Sequence, residues 1–206
     1  DHKEAEQAFR KAIELEPGNA AAWRGLGRVL RDLRRSAEAE QAFREAVSLE
    51  PTGEWHWHDL GHALEELSRQ QEAEGVFRKA IALKPDEGVF WNDLGRVLAQ
   101  QKRWKEAEET CRRMIELRPS DSVGWNNLGY VQANQGRLEE AEQSLRHAIT
   151  LDPANTMAWR RLGEALADSG RKDEAKQAFQ KVIELGPENP DNWYDLGHLL
   201  LRVGPP

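Results

Sequence analysis

Cysteine is nearly absent: Cys111 stands alone among 206 residues. A single thiol excludes an intrachain disulfide framework and makes a reducing compartment, the cytoplasm, the expected location. No apolar run approaches the roughly 20 residues needed to cross a bilayer, so no membrane contact is expected. The polar opening Asp1-His2-Lys3-Glu4-Ala5 reads as helix and not as a secretory leader. Excess positive charge is missing as well. A net charge of −7 offers nucleic acid no electrostatic footing. The alternation that marks a half-buried strand is found nowhere. There is no glycine-rich phosphate loop and no pair of carboxylates set in apolar surroundings where a pKa would shift usefully. Neither catalysis nor a cofactor is therefore expected. What remains is a chain 32% charged, with few prolines, which suits a soluble helical protein.

A strict period runs through it. Trp23, Trp57, Trp91, Trp125, Trp159 and Trp193 are spaced 34 residues apart without a slip. Each is followed by Leu-Gly three and four positions on, from Leu26-Gly27 to Leu196-Gly197. Ala5, Ala39, Ala73, Ala107, Ala141 and Ala175 keep the same step, as do Pro17, Pro51, Pro85, Pro119, Pro153 and Pro187. Within one period, Trp23, Leu26, Val29, Leu30 and Leu33 follow the helical repeat. Ala39, Ala42, Phe43, Ala46, Val47 and Leu49 then form a second amphipathic stripe. Proline ends the unit because it cannot sit inside a helix without a clash and a lost hydrogen bond. Asn19, Asp121, Ser122 and Asn155 suit the next helix start.

Trp-x2-Leu-Gly-x2-Tyr, Ala-x3-Phe and Pro at a 34-residue period are the tetratricopeptide repeat, which the whole chain resembles. The Tyr position is taken by Leu30, Leu64, Leu98, Leu166 and Leu200, and once by Gln132; Cys111 and Leu145 replace Phe in two units. The resemblance implies an all-α, right-handed superhelical solenoid of antiparallel helix pairs. Its parts are a half repeat over 1–19, full repeats over 20–53, 54–87, 88–121, 122–155 and 156–189, and a half repeat over 190–206. Starting and stopping in mid-repeat suggests a segment of a longer array. The two half repeats are complementary, so head-to-tail self-association through Ala5, Phe9 and Ala12 against Trp193, Leu196, Gly197 and Leu200 is expected.

The resemblance further implies a protein-interaction scaffold whose first helices line a concave groove for a peptide or protein. The groove positions carry over to Trp55, His58, His62, Val89, Asn92, Arg96, Val123, Asn126, Asn127, Tyr130, Met157 and Arg160. Trp55 has no tryptophan counterpart in other repeats, and with Val89, Val123 and Met157 it would form an apolar strip. Arg24, Arg28, Arg31 and Arg35, at steps of four, three and four, read as one helix face. They form either a solvated stripe or an anion site that Asp59, Glu65 and Glu66 partly neutralise. The carboxylate clamp of chaperone-tail binders is not matched, since Asp59, Val89 and Asp93 follow Arg24 and Arg28 where the clamp needs other residues. His58 and His62 lie one turn apart, but zinc normally needs three or four ligands. With no cysteine near and Asp59 a quarter turn away, no metal is expected. An alternative function is a substrate-recruiting or regulatory arm of a larger enzyme.

Overall fold

The computed structural model describes residues 1–203, and the side chains of all of these but Leu199, Arg202 and Val203. Twelve α-helices and no strand occur among the described residues. The chain divides into two compact units, Asp1–Gln101 and Lys102–Pro206. In the first, α1 (His2–Leu15), α2 (Ala20–Asp32), α3 (Ser36–Leu49), α4 (Glu54–Glu66), α5 (Gln70–Leu83) and α6 (Gly88–Gln100) each pack on the next, and α2 also touches α4. In the second, α7 (Trp104–Leu117), α8 (Ser122–Asn134), α9 (Leu138–Leu151), α10 (Thr156–Asp168), α11 (Lys172–Leu185) and α12 (Pro190–Val203) do the same, with α8 touching α10. Even-numbered helices begin at residues 20, 54, 88, 122, 156 and 190, one per period.

The periodic residues hold this arrangement by a few recurring contacts. The indole N–H of each framework tryptophan donates to the proline carbonyl six residues earlier, from Trp23 to Pro17 (3.0 Å) through Trp193 to Pro187 (2.9 Å). A ring that would otherwise hide a polar N–H thus fastens the inter-repeat turn to the helix after it. The Leu-Gly glycines act by leaving room. A Cβ on Gly27 would come within 2.6 Å of the Phe43 ring, and one on Gly61 or Gly163 would strike Phe77 or Phe179. In the repeat where Leu145 replaces phenylalanine, a Cβ on Gly129 would again meet it at 2.6 Å. Absence of that one carbon lets the two helices of a pair close on each other. Asn19 and Asn155 cap α2 and α10 by accepting from Ala22 N and Ala158 N, each at 3.0 Å, and Asp121 accepts from Val123 N at 2.9 Å. Ser122 is instead the first residue of α8.

Two sequence expectations need correction. Arg35 lies beyond the end of α2, at the N-cap of α3, and does not extend the arginine stripe. It is half of an outer ladder that joins alternate helices. Its Nε and Nη2 pair with Glu38, while Nη1 reaches back to Glu6 on α1 at 2.8 Å. Arg69 and Arg171 repeat this pattern with Glu72 and Glu40, and with Glu174 and Glu142. The second correction concerns α1 and α12. Ala5, Phe9 and Ala12, expected to be exposed for self-association, are half-buried, the Phe9 ring lying against Gly25 on α2; Leu196 of α12, expected to be exposed with them, is half-buried against the cluster of Leu145, Leu162 and Phe179.

Every even-numbered helix from α2 to α10 is followed by a turn with one left-handed residue: Arg34, Ser68, Lys102, Gly136 and Gly170, with φ between 58° and 79°. Nothing lies within 4 Å of a Cβ placed on Gly136, so substitution there meets only backbone strain. Gly136→Ala is expected to destabilise the protein by about 1 kcal/mol in a urea titration. Cys111 lies buried in α7, and that burial pushes its thiol up to about 12, leaving it protonated and inert near neutral pH.

Candidate functional site

In the first unit the even-numbered helices α2, α4 and α6 contribute one polar row, and a simple register governs it. Position five of a repeat meets position six of the next, 35 residues on. Arg24 Nε donates to Asp59 Oδ2 at 2.5 Å, and His58 Nε2 lies 2.9 Å from Asp93 Oδ2. The same register appears in the second unit, where Arg161 Nη1 donates to the Asn126 carbonyl at 3.2 Å and Arg160 Nε lies 3.0 Å from Asp195 Oδ2. This rung was legible only as complementary residues one period plus one apart, a spacing the repeat pattern does not advertise.

Beside the row in the first unit lies a cavity of about 730 Å3. Arg24, Arg28 and Arg31 of α2 form one wall, and Trp55, His58 and His62 of α4 the other. Acidic Asp59, Glu65 and Glu66, with Arg96 of α6, complete it. The expected neutralisation is partial. Arg24 is tied to Asp59, Arg31 stands 4.0 Å from Glu66, and Glu65 turns instead to Arg96. Arg28 is exposed and makes no side-chain hydrogen bond or ion pair among the described residues. Trp55 is half-buried, edge-on to His58 (5.2 Å between centroids) and to Phe90 (5.0 Å), so it supports α6 while showing a face to the cavity.

His58 and His62, which line the cavity, converge with the buried Asp93. His62 Nε2 lies 3.2 Å from His58 Nε2 and 3.4 Å from Asp93 Oδ2. Phe77 and Phe90 pack beneath the two imidazoles. Burial opposes charge on His62, yet Asp93 and Glu65 outweigh it and push its pKa up to about 9. Burial likewise opposes the Asp93 carboxylate, but His58, His62 and Arg96 hold it well below the usual carboxylate range. His58 is raised too: burial works against its charge, and Asp59 and Asp93 work for it.

The remaining expected groove residues divide by unit. Val89 and Asn92 of α6 are half-buried. In the second unit Val123 and Met157 are exposed, at 41% and 46%. Asn126 is buried, its carbonyl and the Asn127 side chain accepting from Arg161. Tyr130 lies under the Arg161 guanidinium, 4.4 Å from ring centroid to carbon. Arg160 is taken up by Asp195 and Asn192. Of the polar residues expected to meet a ligand there, Asn127, Tyr130 and Arg160 contact the neighbouring repeat with their side chains, and Asn126 does so with its backbone carbonyl.

Helices repeated at a fixed period, each packed on the next within its unit, define a helical-repeat protein of the solenoid class. A family model described as Tetratricopeptide repeat matches residues 1–54, 58–122 and 126–190, and the chain belongs to that family. No curated protein matches it. Among solved structures it is similar to YrrB, described as a tetratricopeptide-repeat protein with an unusual peptide-binding site. Identity is 24%, TM-score 0.71, with 92% of this chain and 98% of YrrB covered. MamA from Desulfovibrio magneticus RS-1 is similar at 26% identity and TM-score 0.73, over 82% of this chain and 96% of the other. A chain of the Cut9–Hcn1 hetero-tetramer of the APC/C aligns with all of this chain at 18% identity and TM-score 0.80. This chain spans 41% of its length.

Proposed function

We propose that the chain, a single repeat array over 1–206, is a protein-interaction scaffold that takes a peptide segment in the cleft of its first unit. The cleft carries this reading. Its volume, near the middle of the range for ligand sites, is walled by one tryptophan face and by an arginine, Arg28, with no partner of its own among the described residues. Such a pairing suits a peptide with an apolar side chain for Trp55 and a carboxylate for Arg28. YrrB, of the same fold, is described as peptide-binding, which agrees with the reading. In this reading the chain acts by holding its partner.

The test is a peptide selected on the wild-type chain from a displayed random library. Trp55→Ala is expected to weaken that peptide by about 2 kcal/mol, some thirtyfold, with Arg28→Glu also weakening it. Selected peptides that bind both variants as tightly as wild type would move the site off this cleft.

A second partner is favoured by one observation. On α12, Trp193, Tyr194, Leu200 and Leu201 are 55%, 71%, 45% and 86% exposed, a concentration of apolar surface found on no other helix among the described residues. Head-to-tail docking of α12 on α1 of another copy would cover it, and Leu15 of α1 is likewise 76% exposed. Light scattering should then show mass growing with concentration. Leu200→Glu with Leu201→Glu should hold the chain monomeric; growth that survives this change excludes α12 as the contact.

A further inference from the structure

We propose that His58, His62 and Asp93 form a binding site for a divalent transition metal, with Zn2+ the ion they suit best. Three atoms able to ligate a metal meet there. His58 Nε2, His62 Nε2 and Asp93 Oδ2 form a triangle with edges of 2.9, 3.2 and 3.4 Å. Ligands about 2.0–2.1 Å from a tetrahedral zinc lie about 3.3 Å apart, so an ion fits with shifts of a few tenths of an ångström. Two imidazoles and one carboxylate are the ligand set of many zinc sites that keep a position open. The triangle is also awkward without an ion. If each imidazole donates its Nε2–H to Asp93, two N–H groups face each other at 3.2 Å; if one is deprotonated, it accepts from the other, whose single N–H is then shared with Asp93. A cation satisfies all three atoms at once.

The surroundings are arranged as a metal site requires. Metal-binding histidines usually direct the other ring nitrogen to a carboxylate, which sets the tautomer and strengthens the ligand. Here His62 Nδ1 lies 3.4 Å from Glu65 Oε2, and His58 Nδ1, buried without a hydrogen bond, lies 3.7 Å from Asp59 Oδ1. Arg24 occupies the other Asp59 oxygen, and Arg96 occupies Asp93 Oδ1 at 3.0 Å, which leaves Oδ2 for the ion. The histidines are one turn apart on α4, and Phe77 and Phe90 hold their rings from below. Asp59, Glu65 and Asp93 against Arg24 and Arg96 leave one net negative charge beside the triangle, which Arg28, Arg31 and Glu66 of the wider cleft bring to zero. His58 and His62 line the cleft, so the fourth position faces it, for water or an anionic group.

Metal binding at this site does not depend on peptide binding, and the test contains no peptide. The tag-free chain, stripped with chelator, is titrated with Zn2+ by calorimetry and, separately, with Co2+ by visible absorption. Wild type is expected to bind one ion per chain, to melt at higher temperature with Zn2+, and to give the intense visible bands of a four-coordinate Co2+ site. His62→Gln, at a half-buried position, and Asp93→Asn should each weaken Zn2+ at least about a hundredfold, while His147→Gln in the second unit should not. Circular dichroism confirms that the variants fold, and the wild-type Co2+ spectrum does not depend on them. A wild type that takes up no zinc, or folded variants that bind it equally well, would overturn the assignment.

Discussion

Phe77→Ala is expected to lower the unfolding free energy by about 3–5 kcal/mol, measured by urea denaturation followed by circular dichroism. Phe77 is fully buried, and its ring fills the space left by the missing Cβ of Gly61. Alanine would leave a cavity between α4 and α5 that two rigid helices cannot collapse to fill. Phe77→Leu should cost far less, about 1 kcal/mol, because the chain already uses that solution where Leu145 faces Gly129. Gln71→Ala on the exposed side of α5 should move the midpoint little. A loss under about 1 kcal/mol for the alanine variant would show that the helix pair relaxes around the gap, against the close approach described above.

Asp93→Ala should be about as severe, costing about 3–5 kcal/mol in chelator, where no metal contributes. One buried carboxylate serves three donors: His58, His62 and Arg96. Removing it leaves His58 buried with neither ring nitrogen on a carboxylate at hydrogen-bond distance, since Asp59 stands 3.7 Å from Nδ1. Arg96 still has Glu65, so the loss falls mainly on the imidazoles. Asp93→Asn keeps the shape and an acceptor oxygen and should recover part of the stability. Equal stability of Asp93→Ala and wild type would mean that water satisfies the histidines and that the network contributes nothing net.

Much of this molecule is written locally. Tryptophan, Leu-Gly, alanine and proline at one spacing set the twelve helices and their ends. Each acts over a short stretch of chain. The indole bonds a carbonyl six residues back, the glycine lies under a ring sixteen residues on, and the proline ends a helix. The same pattern pointed to the even-numbered helices as the side that carries variable residues. It did not say which of those residues are free. Asn126 and Arg160 were expected to face a ligand; Asn126 is buried, with its backbone carbonyl accepting from Arg161, and Arg160 pairs with Asp195 one period away. Arg35 read as a continuation of the α2 stripe until α2 ended before it.

His58 and His62 were legible as a pair, because one helical turn separates them. The absence of a nearby third ligand then argued against an ion. Asp93 supplies it from 35 residues away, since stacking places position six of one repeat beside position five of the one before. Sequence alone determined the helices and their pairing, because those depend on periodicity along the chain. Tertiary structure alone decided the polar cluster beside the cleft, because side chains one repeat apart meet through the offset between stacked helices, which no residue encodes by itself.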